Sequence, residues 1–199
     1  MERLREFIKS IMGGVCIALG AFAYLMCENI YVGSVLFCIG LISILIIGLN
    51  LYTGKIGYVL NEDNKFRIDT LLSIFGNMIG VFIFALPRPL EHSVALVEEK
   101  LQNGLLLTLF NAIGCGLLIY LCVEIYKRKN TLIGVLIAVP TFIICGFEHS
   151  IADMFYLFNA RVFSLKAVLF VVVVIIGNAI GALIIPTLSK IGVVKSKAE

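Results

Sequence analysis

Six long apolar stretches alternate with short polar joints along the 199-residue chain. They run over roughly residues 7–26, 30–54, 68–87, 103–126, 131–157 and 164–189. Each is near or above the about 20 residues that carry a helix across the hydrocarbon of a bilayer. A segment in lipid must close its own backbone hydrogen bonds, so these stretches are predicted to be helices. The joints include Asn61-Glu62-Asp63-Asn64-Lys65, Lys127-Arg128-Lys129-Asn130 and the stretch from Pro87 to Lys100. The expected architecture is all-α and integral to a membrane, with six transmembrane helices in a single domain over residues 1–199.

Composition points the same way. Only 15% of the residues are charged and the mean hydropathy is +1.05, whereas a soluble domain carries about 25% charged residues. The net charge of +3 gives no reason to expect a nucleic-acid partner. Basic residues precede the first apolar run, as in a signal peptide. That run suits a full span, however, and no small-residue cleavage site closes it, so it is read as a first helix. The six cysteines (Cys16, Cys27, Cys38, Cys115, Cys122, Cys145) lie scattered, mostly within apolar runs. They are read as small packing residues, with no metal and no cofactor expected. Trp is absent, and Tyr31, Tyr52, Tyr120, Tyr126 and Tyr156 lie near span ends or breaks, where they can serve as interfacial anchors.

The cationic residues set the orientation. With the N-terminus inside, one side receives Arg3, Arg5, Lys9, Lys55, Lys65, Arg67, Lys127, Arg128, Lys129, Lys190, Lys195 and Lys197. The other receives Arg88, Lys100, Arg161 and Lys166. Twelve against four is a positive-inside bias, which predicts that both termini are cytoplasmic in the cell membrane.

An internal repeat is visible. The third span holds Gly76-Asn77-Met78-Ile79-Gly80-Val81-Phe82-Ile83, with Pro87 after it, and the sixth holds Gly177-Asn178-Ala179-Ile180-Gly181-Ala182-Leu183-Ile184, with Pro186 after it. Five of the eight positions agree at an offset of 101. With three spans per copy, about 7–87 and 103–189, the second copy must insert upside down. Inverted repeats of this kind place functional groups near the midplane. The Gly-x-x-x-Gly pattern also packs helices closely, and the two readings are compatible.

The second span of each half is unusual. Gly48-Leu49-Asn50-Leu51-Tyr52-Thr53-Gly54-Lys55 and Gly146-Phe147-Glu148-His149-Ser150-Ile151-Ala152-Asp153 each place glycine and polar residues inside an apolar run. Helices 2 and 5 are therefore expected to be broken, which is tolerable only where the freed backbone lines protein or a polar cavity. Glu148, His149 and Asp153 lie at that depth. An uncompensated charge there costs at least about 2.5 kcal/mol, so these groups face the interior or a cavity. His149 is either a structural histidine or a pathway residue, and its place on a symmetry-matched break favours the pathway. Glu148 is expected to hold the interrupted backbone by accepting N–H bonds. Thr53 offers a hydroxyl at the other break. By position, Lys100 is either a lysine that draws anions into a vestibule or a solvated loop lysine.

The stretch Cys145-Gly146-Phe147-Glu148-His149-Ser150-Ile151-Ala152-Asp153-Met154-Phe155 resembles the fifth-helix signature of the formate/nitrite transporter family. Leu51-Tyr52-Thr53-Gly54 resembles the family's broken second helix, and the pairs Gly76-Asn77 and Gly177-Asn178 match as well. The resemblance covers essentially the whole chain in order and spacing. It implies an aquaporin-like six-helix protomer assembled as a homopentamer, with one pathway per protomer. It also implies conduction of formate, nitrite, hydrosulfide or related small monocarboxylates with weak-acid proton coupling. On these positions the family roles fall to His149 as the central proton-donating group, Thr53 as its partner across the pore and Lys100 as the anion-attracting lysine. Phe37, Leu41, Leu51 and Phe142 occupy positions similar to the apolar constrictions. Asn50, Asn77, Asn178, Gly116, Glu148 and Asp153 are expected to be structural residues beside the pore.

Two positions depart from the family pattern. Gly116, in Ile113-Gly114-Cys115-Gly116-Leu117, stands where the fourth helix usually has Asn. Asp153 stands where Asn usually follows the histidine by four residues. On a continuous helix His149 and Asp153 would be neighbours, and an ionised Asp153 would favour imidazolium and oppose an anion.

The expected function is passage of a small monovalent anion of a weak acid, with transient protonation near His149, rather than enzymatic catalysis. The partners implied are the anion, a proton and the lipid bilayer. A substrate-binding membrane subunit of a larger transporter is the alternative; it predicts tight binding and a partner ATPase.

Overall fold

The computed structural model describes residues 1–193; Lys195 and Lys197 of the charge count lie outside the described residues. The fold is helical. Its elements are α1 (Glu2–Leu25), α2 (Ile30–Ile47), α3 (Tyr52–Lys55) with a 3-10 turn at Ile56–Tyr58, α4 (Asn64–Ala85), α5 (Glu91–Gln102), α6 (Leu105–Lys129), α7 (Ile133–Ile144), α8 (Ser150–Asn159) and α9 (Leu165–Lys190). Short polar side chains start several helices by accepting from orphan backbone N–H groups. Asn29 accepts from Tyr31 and Val32 N at 2.9 and 3.1 Å. Asp63 accepts from Phe66 N at 2.7 Å, and Ser164 from Ala167 N at 3.1 Å.

Among the described residues, α1, α2, α4, α6 and α9 are long and apolar enough to cross a membrane. Large apolar side chains such as Leu106, Leu165 and Ile47 face outward, at 82%, 75% and 66% exposure. That surface suits lipid or a neighbouring subunit rather than water. The polar side chains Asn77, Asn178, Ser34 and Thr70 are instead wholly buried, the inverse of the soluble pattern. The α1–α4 and α6–α9 pairs pack most extensively. Glycines allow this approach: a Cβ on Gly80 would meet the Ile11 carbonyl, and one on Gly181 the Ile113 carbonyl.

The breaks fall where glycine and polar residues interrupt the apolar runs. Gly48 ends α2 in the left-handed region at φ 73°, and Gly146 takes φ 66° after α7. Glycine adopts this conformation without the Cβ penalty. The fifth predicted span is thus two short helices of 12 and 10 residues. Two expectations need correction. The stretch from Pro87 to Lys100, read as a joint, contains the amphipathic helix α5, which buries Ser93 and Val97. The first helix begins at Glu2, since its polar first turn continues the apolar run.

Matched hydrogen bonds hold the two breaks. Asn77 Oδ1 accepts from Tyr52 N at 2.9 Å, and its Nδ2 donates to the carbonyls of Asn50 (2.8 Å) and Ser10 (2.6 Å). Asn178 Oδ1 accepts from Ser150 N at 2.9 Å, and its Nδ2 donates to the carbonyls of Glu148 (2.8 Å) and Ala112 (2.9 Å). Each amide therefore satisfies backbone groups that an unbroken helix would have paired internally. A further pair follows the same pattern: Asn50 N donates to Lys9 O at 3.4 Å, and Glu148 N to Asn111 O at 3.3 Å.

Candidate functional site

The break after α7 leaves His149 as the N-cap of α8. Its Nδ1 accepts the backbone N–H of Ala152 at 3.2 Å, so the ring proton is assigned to Nε2. Nε2 lies 3.0 Å from Thr53 Oγ1. The two breaks thus bring one imidazole and one hydroxyl face to face, with the side chains 2% and 1% exposed. This arrangement is a neutral donor beside a flexible hydroxyl at the positive end of a short helix.

Aromatic rings flank the pair. Phe142 stacks on the imidazole with centroids 5.7 Å apart, and Phe37 meets Phe142 edge-on, also at 5.7 Å. A cavity of about 50 Å³ is bordered by His149, Phe142, Phe147, Lys100, Asp153 and Tyr156. A second, of about 290 Å³, is bordered by Leu41, Leu51, Asn50, Lys55 and Lys127. Leu41 and Leu51 therefore border one cavity and Phe142 the other, while Phe37 borders neither of the two and meets Phe142 edge-on. Asn50 sits at the edge of the larger cavity. Its Nδ2 donates to Glu6 Oε2 at 2.9 Å and its Oδ1 accepts from Lys55 Nζ at 3.2 Å.

Lys100 reaches this site from the last turn of α5. Its ammonium donates to the Glu148 carboxylate and lies 3.2 Å from Asp153 Oδ1. It also stands 5.9 Å from the centre of the Tyr156 ring. The lysine side chain is 13% exposed, so it is neither a solvated loop residue nor an unpaired cation. Glu148 also differs from expectation. Its carboxylate accepts from Lys100, whereas Asn178 holds the interrupted backbone through the Glu148 carbonyl. Asp153 does not pair with the imidazole as a continuous helix would require. His149 precedes the helix, its carbonyl accepts Asp153 N at 2.9 Å, and the Asp153 carboxylate turns to Lys100.

Gly116 has a packing reason. A Cβ there would strike the backbone carbonyl of Asn178, as one on Gly14 would strike that of Asn77. The residues missed from the sequence are Lys55 and Lys127, while Tyr156, expected as an interfacial anchor, is buried beside the small cavity. In the sequence Lys55 and Lys127 bear only on orientation, although Lys55 directly follows the first break. Lys127 lies 3.3 Å from the centre of the Tyr58 ring.

Known proteins share this fold. A 27%-identical relative is the uncharacterized transporter YrhG of Bacillus subtilis (strain 168), matched over 146 residues. The match covers 62% of this chain and 55% of that relative, so only about half the relative's length is spanned. Among solved structures, a pentameric formate channel with formate bound superposes with a TM-score of 0.77 at 18% identity, over 95% of this chain and 96% of the other. An FNT family ion channel superposes with a TM-score of 0.83 at 18% identity, over 94% and 89%. The two structural likenesses show a shared fold. The family description formate/nitrite transporter matches residues 1–191, nearly the full length, including both breaks and both buried asparagines. The chain belongs to the formate/nitrite transporter family.

Proposed function

We propose that this protein passes small monovalent anions of weak acids, of the formate, nitrite or hydrosulfide type, across the cytoplasmic membrane. The proposal takes residues 1–199 as a single transmembrane domain with six crossings in two inverted halves. α2 with α3, and α7 with α8, are its two broken crossings. Both termini are cytoplasmic, and five copies assemble with one pathway in each.

The observation that carries this reading is the buried His149–Thr53 contact, whose imidazole borders the small cavity. A bare anion entering an apolar passage loses its hydration at a large cost, and the neutral acid loses far less. Leu41 and Leu51 on one side, and Phe142 with Phe37 set against its ring on the other, supply the apolar constrictions. The Nε2–H of His149 supplies a donor to the anion at the midpoint, with Thr53 able to accept or donate as the anion arrives. Lys100 adds a positive charge at the smaller cavity, held in place by its carboxylates. The cavity beside His149, at about 50 Å³, suits a small anion and is far below the about 300–1,000 Å³ of a site for a larger organic ligand.

The test is a flux panel in proteoliposomes with formate, nitrite, hydrosulfide, acetate and lactate at two pH values. Uptake of the smallest anions that rises on the acid side supports the reading. Uptake no faster than into empty liposomes for every anion refutes it.

A further inference from the structure

Asp153 is the buried ionisable group whose hydrogen bonding is incomplete. Its side chain is 2% exposed. Oδ1 lies 3.2 Å from Lys100 Nζ, while Oδ2 has no hydrogen-bond partner among the described residues. Asp153 borders the small cavity together with His149. One lysine thus stands against two buried carboxylates, Glu148 and Asp153. A cluster with all three groups ionised would carry a net negative charge inside the membrane, which is costly and would repel an anion. One proton makes the cluster neutral. Glu148 takes the close ion pair with Lys100, so the proton belongs on the free oxygen of Asp153.

We propose that Asp153 carries an exchangeable proton on Oδ2 and delivers it to the anion in the small cavity. This rests on the weak-acid passage proposed above and assigns a proton donor to that same site. The step balances: the Oδ2–H bond breaks, an H–X bond forms on the anion, and the electron pair stays on the Asp153 carboxylate, where Lys100 stabilises it. A proton from the aqueous side then restores the acid. His149 receives the newly formed HX, since its Nε2–H is a donor and needs no second proton to act. The groups facing Asp153 are Lys100 on α5, Glu148 and His149 at the break, Tyr156 on α8 and Tyr24 on α1. From α4 and α9 the same helix receives Phe84 and the amide of Asn178.

Infrared spectroscopy of the full-length protein in liposomes reads this proton directly. The chain has three aspartates, Asp63, Asp69 and Asp153, so labelling aspartate side chains with carbon-13 isolates few bands. The expected result at about pH 7 is a protonated-carboxyl C=O stretch that shifts with the label and vanishes in Asp153→Asn. Only carboxylate bands in the labelled wild-type protein would overturn the assignment, whether or not formate is carried. In transport, Asp153→Asn should lose most of the acid stimulation of formate uptake shown by the wild type, and a variant that keeps the wild-type pH profile would overturn the proposal. Faster uptake in the variant at neutral pH would mean that Asp153 had been an ionised mask over Lys100, and would overturn the proposal. If wild-type protein carries no formate or other weak-acid anion, the transport reading fails, even where the infrared band is present.

Discussion

Asn77 and Asn178 make the same three hydrogen bonds, each to a backbone N–H just past a helix break, to a carbonyl within it and to a carbonyl on a neighbouring helix. The irregular segments that carry Thr53 and His149 are therefore fixed by two buried amides at matched places in the two halves of the chain. Replacing either by Ala leaves backbone groups unpaired, at about 1–3 kcal/mol per buried group. We expect Asn178→Ala to lower thermal stability in detergent and to reduce flux with it. Asn178→Asp should do the same, because its carboxylate cannot donate to the Glu148 and Ala112 carbonyls. Melting temperatures equal to wild type for both variants would contradict this role.

Gly116 is predicted to tolerate no side chain. Ala at this position would press its methyl into the Asn178 backbone and force α6 from α9, for a cost of about 1–3 kcal/mol. Gly104→Ala is the control, because a Cβ there meets nothing within 4 Å. Thermal denaturation of the two variants should separate them, with Gly116→Ala destabilised and Gly104→Ala near wild type.

Lys100→Met should destabilise strongly, by about 3–5 kcal/mol, because it strips the counter-charge from the buried Glu148 carboxylate. Adding Glu148→Gln should recover most of that loss if Asp153 already holds a proton, since the cluster then carries no charge. Thermal unfolding of the single and double variants checks this; a double variant as unstable as the single one would contradict it.

Much of this was legible in the sequence because a membrane penalises irregularity. Gly48 and Gly146, each followed by polar residues inside an apolar run, had little physical reason to be there except a break, and the positive φ at both is what glycine permits. The pairing of Thr53 with His149 was implied by the family resemblance alone, and the two breaks bring the side chains within 3.0 Å. Helix α5 was not legible, because few of its positions are buried and its polar surface hides the period. The Lys100 cluster was misread for a different reason. Spacing along a continuous helix paired Asp153 with His149, but the break made His149 a cap and turned Asp153 toward a lysine brought in by α5. Gly116 was read as a missing asparagine because the backbone that crowds it belongs to α9, and no local pattern announces that contact.

The central claim is that the His149 Nε2–H acts on the anion in transit. Its most direct measurement is formate uptake into proteoliposomes holding wild-type or His149→Asn protein, followed across about pH 5 to 8. The account predicts uptake that rises toward acid in the wild type and is lost, with its pH dependence, in the variant. Equal uptake with the same pH profile in both would contradict it.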